Sequence, residues 1–317
     1  MHPFYLLKRL GLTALTVLIA TMLTFVLLRM TPGDPAQVII QKVFVGSEDY
    51  AASSGERAAV AERLGLERPI AVQYLDWLAG ALTLDLGHSY TTGRRVGREL
   101  GQRIWPTLSL TLLAMGCSLV LTLACSTAYA LSGSRSLRAG IDGLIVTGIA
   151  VPNFYLALLL VLGFSLWLDA LPVSGYGSAA HYVLPVATLT LTTFGYTTTI
   201  LNDSVAAVRS REYILTARGK GLSPRVLFRR HVLRNAMVPV VPYIGLQLGY
   251  MLGGVVVVET VFSWPGLGKL LVDAIESRDT PVIQACVALL AVGFSLANLL
   301  ADVALRVVDP RVRFQED

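Results

Sequence analysis

Residues 209–235, RSREYILTARGKGLSPRVLFRRHVLRN, form a basic segment between two long uncharged stretches of the chain. The segment carries eight arginine or lysine residues and one acid, Glu212. Positive residues concentrate in short loops on the cytoplasmic side of a membrane, so we expect this segment to be a cytoplasmic loop. Charge alone leaves two interpretations open: a loop that only orients the chain, or a surface that binds a partner.

Glycine and proline positions divide the segment into two short helices. Residues 212–220 are predicted to form the first helix, which Gly219 or Gly221 can end because glycine adopts the left-handed conformation of a helix C-cap. Ser223 is a suitable N-cap, and Pro224 suits the first helical position, where a missing N–H costs nothing. A second helix is therefore expected to run from there into the next membrane span.

The strings TARGKGL (residues 216–222) and HVLRNAMVP (residues 231–239) resemble the EAA segment of permease subunits in ATP-binding-cassette importers, in the form of the dipeptide and oligopeptide branch. The spacing from glycine to proline is longer than the general consensus, and Gly219 stands where alanine is expected. In that family the loop is a coupling helix held in a groove of the ATPase subunit. The resemblance thus assigns ATPase coupling to Leu215, Thr216, Ala217, Arg218, Gly219, Lys220, Gly221 and Leu222.

The composition indicates a membrane protein independently of any motif. Of 317 residues, 54% are hydrophobic and 15% are charged, a balance outside the usual range of soluble domains. The net charge of +5 comes from short loops between apolar runs, which favours anionic lipid and topology over nucleic acid. The three cysteines and four histidines show no ligand spacing, so no metal site is predicted.

Apolar runs predict an all-α polytopic membrane protein with six transmembrane helices, both termini being cytoplasmic. The resemblance implies the type I importer permease fold. We divide the chain into a cytoplasmic tail with the first helix (1–30), a partly helical extracytoplasmic segment (31–103), a five-helix core (104–307) and a cytoplasmic tail (308–317). The runs are residues 10–28, 104–134, 143–168, 183–205, 238–258 and 282–305, and we expect a kink in the third at Pro152 and Asn153.

The family resemblance extends outside the basic segment. TPGDPA (31–36), RLGLERPIAVQY (63–74), LDLGHSY (84–90) and FSWPGLG (262–268) are similar to landmarks of the same branch, although Leu84 occupies a position usually held by glycine. Asp34 and Asp85 could be mistaken for paired catalytic carboxylates. Both occur in turns rich in proline or glycine, where aspartate commonly binds backbone N–H groups.

Polar and helix-breaking residues inside the spans are candidates for the translocation path. Proline frees a backbone carbonyl in a membrane helix, and small hydroxyl residues either allow close packing or line a wet route. An outer glutamate is either a gate residue or an interfacial acid that reaches water. These candidates are Pro152, Asn153, Thr193, Thr197, Asn202 and Glu259.

No motif in the chain performs chemistry. A GxxxxGK[ST] phosphate loop, a GxSxG elbow and an HExxH pair are all missing from the sequence, so we expect a non-catalytic subunit that does not bind ATP. An ion channel is the alternative class, but no TVGYG filter or regular arginine series is present. The channel interpretation would also leave the basic segment unexplained.

The resemblance implies a complex in a bacterial plasma membrane. Its other members would be a second, similar permease, two ATPase subunits that hold ATP and magnesium, and an extracytoplasmic substrate-binding protein. Dipeptides or oligopeptides are the expected cargo, and related permeases carry nickel chelates, haem or glutathione. Because a separate binding protein selects the cargo, this sequence leaves the choice open.

Overall fold

The computed structural model describes residues 3–30, 37, 40, 53–63 and 67–308. All the regular elements in those ranges are helices, apart from one isolated bridge between His88 and Arg95. The stretch TPGDPA with Asp34, and the predicted tail from residue 309, lie outside the described residues. The helices are α1 Pro3–Met30, α2 Ser54–Arg63, α3 Ile70–Leu82, α4 Val96–Leu131, α5 Arg135–Ala150, α6 Asn153–Leu160, α7 Ala179–Arg209, α8 Glu212–Gly219, α9 Pro224–Leu227, α10 Arg234–Ala236, α11 Val240–Val261, α12 Leu267–Glu276 and α13 Thr280–Val308.

The all-helical, polytopic fold class is confirmed, whereas the count of six spans stays a prediction. Within the described residues, four helices are long and apolar enough to cross a membrane, or five when a bent pair counts as one span. The fourth predicted span corresponds to α7, whose 31 residues would extend about 46 Å. Its many threonines make it less apolar than the four helices that are long and apolar enough to cross a membrane.

The third predicted span is broken at Pro152, where the sequence predicts a kink. The structure divides it into α5 and α6, which are bent by 118° relative to one another, with Val151 and Pro152 between them. Val151 is extended, with φ −90° and ψ 121°, because a residue that precedes proline disfavours the helical region. The helix therefore restarts only at Asn153 and continues as a π-helical turn, Val161–Trp167.

The chain forms two compact units, residues 1–107 with 265–293 and residues 108–264 with 294–317. In the first unit, α3 packs along α1 through Tyr74. The Tyr74 hydroxyl lies 2.9 Å from the Thr21 hydroxyl, and its ring meets the edge of Phe25. At the start of α2, Ser53 and Glu56 form a reciprocal capping box, since each side chain bonds the other residue's backbone N–H. The predicted outer segment is thus partly helical.

Close helix crossings at glycines organise the second unit. A Cβ on Gly148 of α5 would overlap the Leu191 carbonyl of α7, and a Cβ on Gly195 would lie 2.8 Å from the Ile145 carbonyl. The spacing of four between Gly245, Gly249 and Gly253 similarly predicts a helix-facing stripe on α11. That prediction is confirmed for Gly245 and Gly249, which meet Ala301 and Phe294 of α13, while Gly253 has no neighbour within 4 Å.

Candidate coupling segment and translocation path

The first helix of the basic segment ends as its glycines predict. α8 runs Glu212–Gly219, and Gly221 follows with φ +79°, the left-handed conformation that a side chain disfavours. The Gly221 N–H donates to the Arg218 carbonyl at 3.0 Å, and the Lys220 N–H donates to the Thr216 carbonyl at 3.1 Å. Gly221, rather than Gly219, therefore reverses the chain.

The second helix begins at the predicted residue but does not continue into the next span. Pro224 opens α9 after an extended Ser223, whose side chain makes no capping hydrogen bond. A π-helical turn, Phe228–Leu233, follows, and α10 ends at Ala236. Three turn residues then precede α11, because Pro239 cannot donate to the helix ladder and its ring crowds the preceding turn. The prediction of one helix that continues from Pro224 into the next span is therefore wrong.

The basic segment, residues 209–235, is packed firmly on the end of α7. Ile214 is fully buried and Ala217 is nearly so, and both belong to one apolar cluster with Leu201 and Val205 of α7. This cluster buries one face of α8 and the inner face of the following turns. Segment and helix are thus joined by side-chain packing as well as by the chain. The other members of the cluster are Leu227, Phe228, Val232, Ala236 and Val240.

Arg209, the last residue of α7, links α7 to α4 and to the π-helical turn after α9. Its guanidinium donates to the Ala130 carbonyl near the end of α4 at 2.8 Å and lies 5.9 Å from the ring centroid of Phe228. It also lines a cavity of about 190 Å³ with Arg218, between α8 and α9. The arginine therefore fixes the segment against both α4 and α7.

The opposite face of the segment is open to solvent. Leu215 exposes 60% of its surface, and the exposed basic residues around it include Arg218 and Lys220. Leu222 is half-buried, and Ala217 is the one member of the proposed coupling set that is buried. A packed helix whose exposed face carries Leu215 together with basic residues is a suitable contact surface for a partner. The remaining exposed members are Thr216, Gly219 and Gly221.

The structure distributes the candidate path residues over three helices of the second unit. Pro152 is exposed and Asn153 half-buried at the break before α6, and the Asn153 amide nitrogen would lie 3.5 Å from a Cβ on Gly254 of α11. Glu259, near the end of α11, is fully buried. This burial does not fit an interfacial acid whose carboxylate reaches water, while a gate role stays a prediction.

The threonine face of α7 is buried and mostly engaged with its own helix. Thr193 donates to the Leu189 carbonyl, and Thr197 donates to the Thr193 carbonyl at 2.8 Å. Both side chains are 1% exposed, whereas Asn202 is half-buried. Thr193 and Thr197 are thus closely packed in this chain, and their place on the translocation path stays a prediction.

A polar face on α4 was missed by the sequence analysis. Five hydroxyl residues on this helix are each 3% exposed or less, and they recur at helical spacing within a run without charges. The Thr122 hydroxyl meets the Thr198 hydroxyl of α7 at 3.0 Å, and Thr190 donates to the Ala114 carbonyl at 3.3 Å. The spacing of three to four residues, or its multiples, could have revealed this face. Its members are Thr107, Thr111, Ser118, Thr122 and Ser126.

Family models match almost the whole chain. Residues 98–314 match the model "Binding-protein-dependent transport system inner membrane component", and residues 1–111 match the N-terminal model of the same membrane component. The chain belongs to this permease family. Its relatives include the glutathione transport system permease protein GsiC of Salmonella choleraesuis (strain SC-B67), 41% identical over 98% of this chain and 99% of that protein. The Escherichia coli (strain K12) protein of that name is 38% identical with the same coverage.

Solved structures agree on the fold of the permease. An inward-facing MetNI methionine ABC transporter chain superposes with a TM-score of 0.55 at 16% identity, covering 67% of the permease and 96% of that chain. A chain from an amino acid ABC transporter with histidines gives 0.52 at 17% identity, covering 68% and 94%. The permease is thus a multi-pass inner membrane protein and a subunit of an ATP-binding-cassette importer of the peptide type.

Proposed function

We propose that this permease forms the translocation path for short peptides and that residues 209–235 couple it to separate ATPase subunits. The observation that supports the coupling role is the packing of α8 against α7. Its inner face is buried on α7, while its outer face exposes Leu215, Arg218 and Lys220. A force applied to that outer face would be passed directly to a spanning helix.

Glutathione is our first candidate cargo. Two relatives named as glutathione transport permeases match the permease over its full length at 41% and 38% identity, and glutathione is itself a tripeptide. Dipeptides and longer peptides remain in the same proposal, followed by nickel chelates and haem. Family membership decides against the ion channel class.

The proposed complex contains a second, similar permease, two ATPase subunits and an extracytoplasmic binding protein. ATP and magnesium would be held by the ATPase subunits. ATP binding would bring these subunits together and move their grooves, and α8 would convert that movement into rocking of the spans. Both termini and the coupling segment would be cytoplasmic, in agreement with its eight basic residues.

Uptake into proteoliposomes tests this proposal. The complex is reconstituted with internal ATP, and labelled glutathione, a dipeptide, an oligopeptide, a nickel chelate and haem are supplied outside with the binding protein. We expect uptake of glutathione or a short peptide that requires both ATP and the binding protein. Uptake that continues without ATP, or single-channel currents from the permease alone, would contradict the proposal.

A further inference from the structure

A cluster of arginines precedes and opens α4, within the segment predicted to be extracytoplasmic. Arg94, Arg95 and Arg98 are exposed and line one cavity of about 460 Å³ together with Glu99 and Gln102. None of these three guanidinium groups makes an ion pair within the part of the chain that the structure describes. The coupling role of the permease leaves this positive surface without a function.

The acids that line cavities together with the arginines bond other groups. Glu99 is 8% exposed and accepts a hydrogen bond from the Thr92 hydroxyl. In an adjoining cavity of about 270 Å³, lined by Arg94 and Arg103, Asp273 pairs with Lys269 at 3.0 Å. Burial raises the pKa of the Tyr90 phenol, so Tyr90 adds no negative charge to the turn that precedes the arginines. The exposed charge of the surface is therefore positive.

Asp279 holds the turn that carries the arginines. Its buried carboxylate accepts hydrogen bonds from the Ser89 hydroxyl and from the backbone N–H groups of Tyr90 and Thr91, the last two at 3.1 Å. The turn is closed by the Ser89 N–H, which donates to the Arg94 carbonyl at 2.9 Å. Such a preorganised surface loses little conformational entropy when a partner binds.

The distance of the arginines from the hydrocarbon core of the membrane favours a protein partner over lipid headgroups. Trp105 is 65% exposed, and it stands at the start of the uncharged run of α4, where interfacial tryptophans lie. Arg98 and Arg95 precede it by seven and ten residues, which is a rise of about 10 to 15 Å along the helix. A headgroup layer adds only about 5 to 8 Å to each side of the hydrocarbon. The arginines therefore extend beyond that layer.

We propose that Arg94, Arg95 and Arg98 form a docking surface for an acidic patch on the extracytoplasmic binding protein. This inference rests on the proposed function and its orientation, and on a family that is dependent on a binding protein by description. Positive charge that projects into the aqueous phase would accelerate encounter with an acidic surface and fix its register. The partner's carboxylates would supply the acids that the arginines lack among the described residues.

The test measures how much binding protein half-saturates the stimulation of ATP hydrolysis in a reconstituted complex. For Arg94→Glu/Arg98→Glu we expect that concentration to rise about tenfold or more, and for Arg94→Gln/Arg98→Gln to rise less. Copurification of the second permease and the ATPases reports assembly. An unchanged half-saturating concentration in an assembled double-glutamate complex would overturn the proposal.

Two controls identify the source of any effect. Arg57→Glu/Arg68→Glu makes the same change in charge on α2 and just before α3, and it should leave the half-saturating concentration unchanged. An equal effect in this control would overturn the local assignment. Nanodiscs of purely zwitterionic lipid should preserve the effect of Arg94→Glu/Arg98→Glu, and its loss there would assign the arginines to anionic lipid. A wild-type complex without any stimulation would instead contradict the proposed function.

Discussion

At the scale of single residues, Gly221 and Leu84 compare two side chains in the left-handed backbone region, which other residues of the described chain also adopt. Gly221 has φ +79° and Leu84 has φ +61°. Glycine adopts this conformation freely, whereas another residue is destabilised by about 1 to 2 kcal/mol. In the sequence, Leu84 only differs from the family pattern, which usually has glycine at this position. The structure shows that the backbone there is left-handed, a conformation that glycine adopts without strain.

Gly221→Val is expected to uncouple transport from ATP hydrolysis. No atom lies within 4 Å of a Cβ at this position, so the effect arises from the backbone conformation rather than from overlap within the chain. A cost of about 1 to 2 kcal/mol would reduce the population of the native turn severalfold. ATP hydrolysed per imported molecule should rise while membrane abundance stays normal, because no span is touched.

The matched variants for this position are Gly221→Asn, Arg225→Ala and Arg229→Ala. Asparagine tolerates the left-handed region better than valine does, and an exposed ion pair contributes only about 0 to 1 kcal/mol. Each variant should therefore uncouple less than Gly221→Val. Normal uptake by Gly221→Val at normal abundance would show that this glycine is not the pivot.

Leu84→Gly is expected to leave stability unchanged or raise it by up to about 1 kcal/mol. The substitution removes the left-handed strain but gives the unfolded chain more freedom, and little packing is lost because Leu84 is 85% exposed. Leu75→Gly, at a 60% exposed position inside α3, should destabilise by about 1 kcal/mol. Thermal unfolding in detergent compares the two, and equal losses would refute the strain at Leu84.

At the scale of helices, the crossing of α11 and α13 provides a matched pair of glycines. A Cβ on Gly245 would overlap Ala301, while a Cβ on Gly253 would meet nothing within 4 Å. Gly245→Ala should therefore destabilise by about 1 to 3 kcal/mol, the usual cost of overpacking. Gly253→Ala should be neutral or slightly stabilising, because alanine favours the helix. The unfolding temperatures of the two variants test this, and a similar shift for both would contradict the crossing.

The sequence could predict the features that depend on local chemistry. The end of α8 at Gly221, the start of α9 at Pro224 and the glycine stripe of α11 all follow from backbone freedom, a missing N–H or residue spacing. The sharp bend at Pro152 could not be predicted, because proline reports a break but its angle depends on packing against α7 and α11. The same limit explains why the burial of Glu259 became visible only in the folded chain, whereas the spacing of the hydroxyl residues on α4 can be read from the sequence.

At the scale of the whole molecule, the orientation in the membrane can be tested by cysteine labelling. In a background without Cys117, Cys125 and Cys286, Ala59→Cys should react with an impermeant reagent added outside intact cells. Ser210→Cys should react only after the membrane is opened. Both positions are exposed in the structure, so access is decided by the membrane, and the reverse pattern would contradict the proposed topology.

The most direct test of the coupling account asks what the exposed face of α8 contacts. A photoactivatable cross-linker replaces Leu215, and the matched control replaces Ser136, an exposed residue in the first turn of α5. In membranes that contain the active complex, the probe at position 215 should capture the ATPase subunit, and the probe at position 136 should capture much less. Capture of lipid or of no subunit at position 215, in a complex that still transports, would contradict the account.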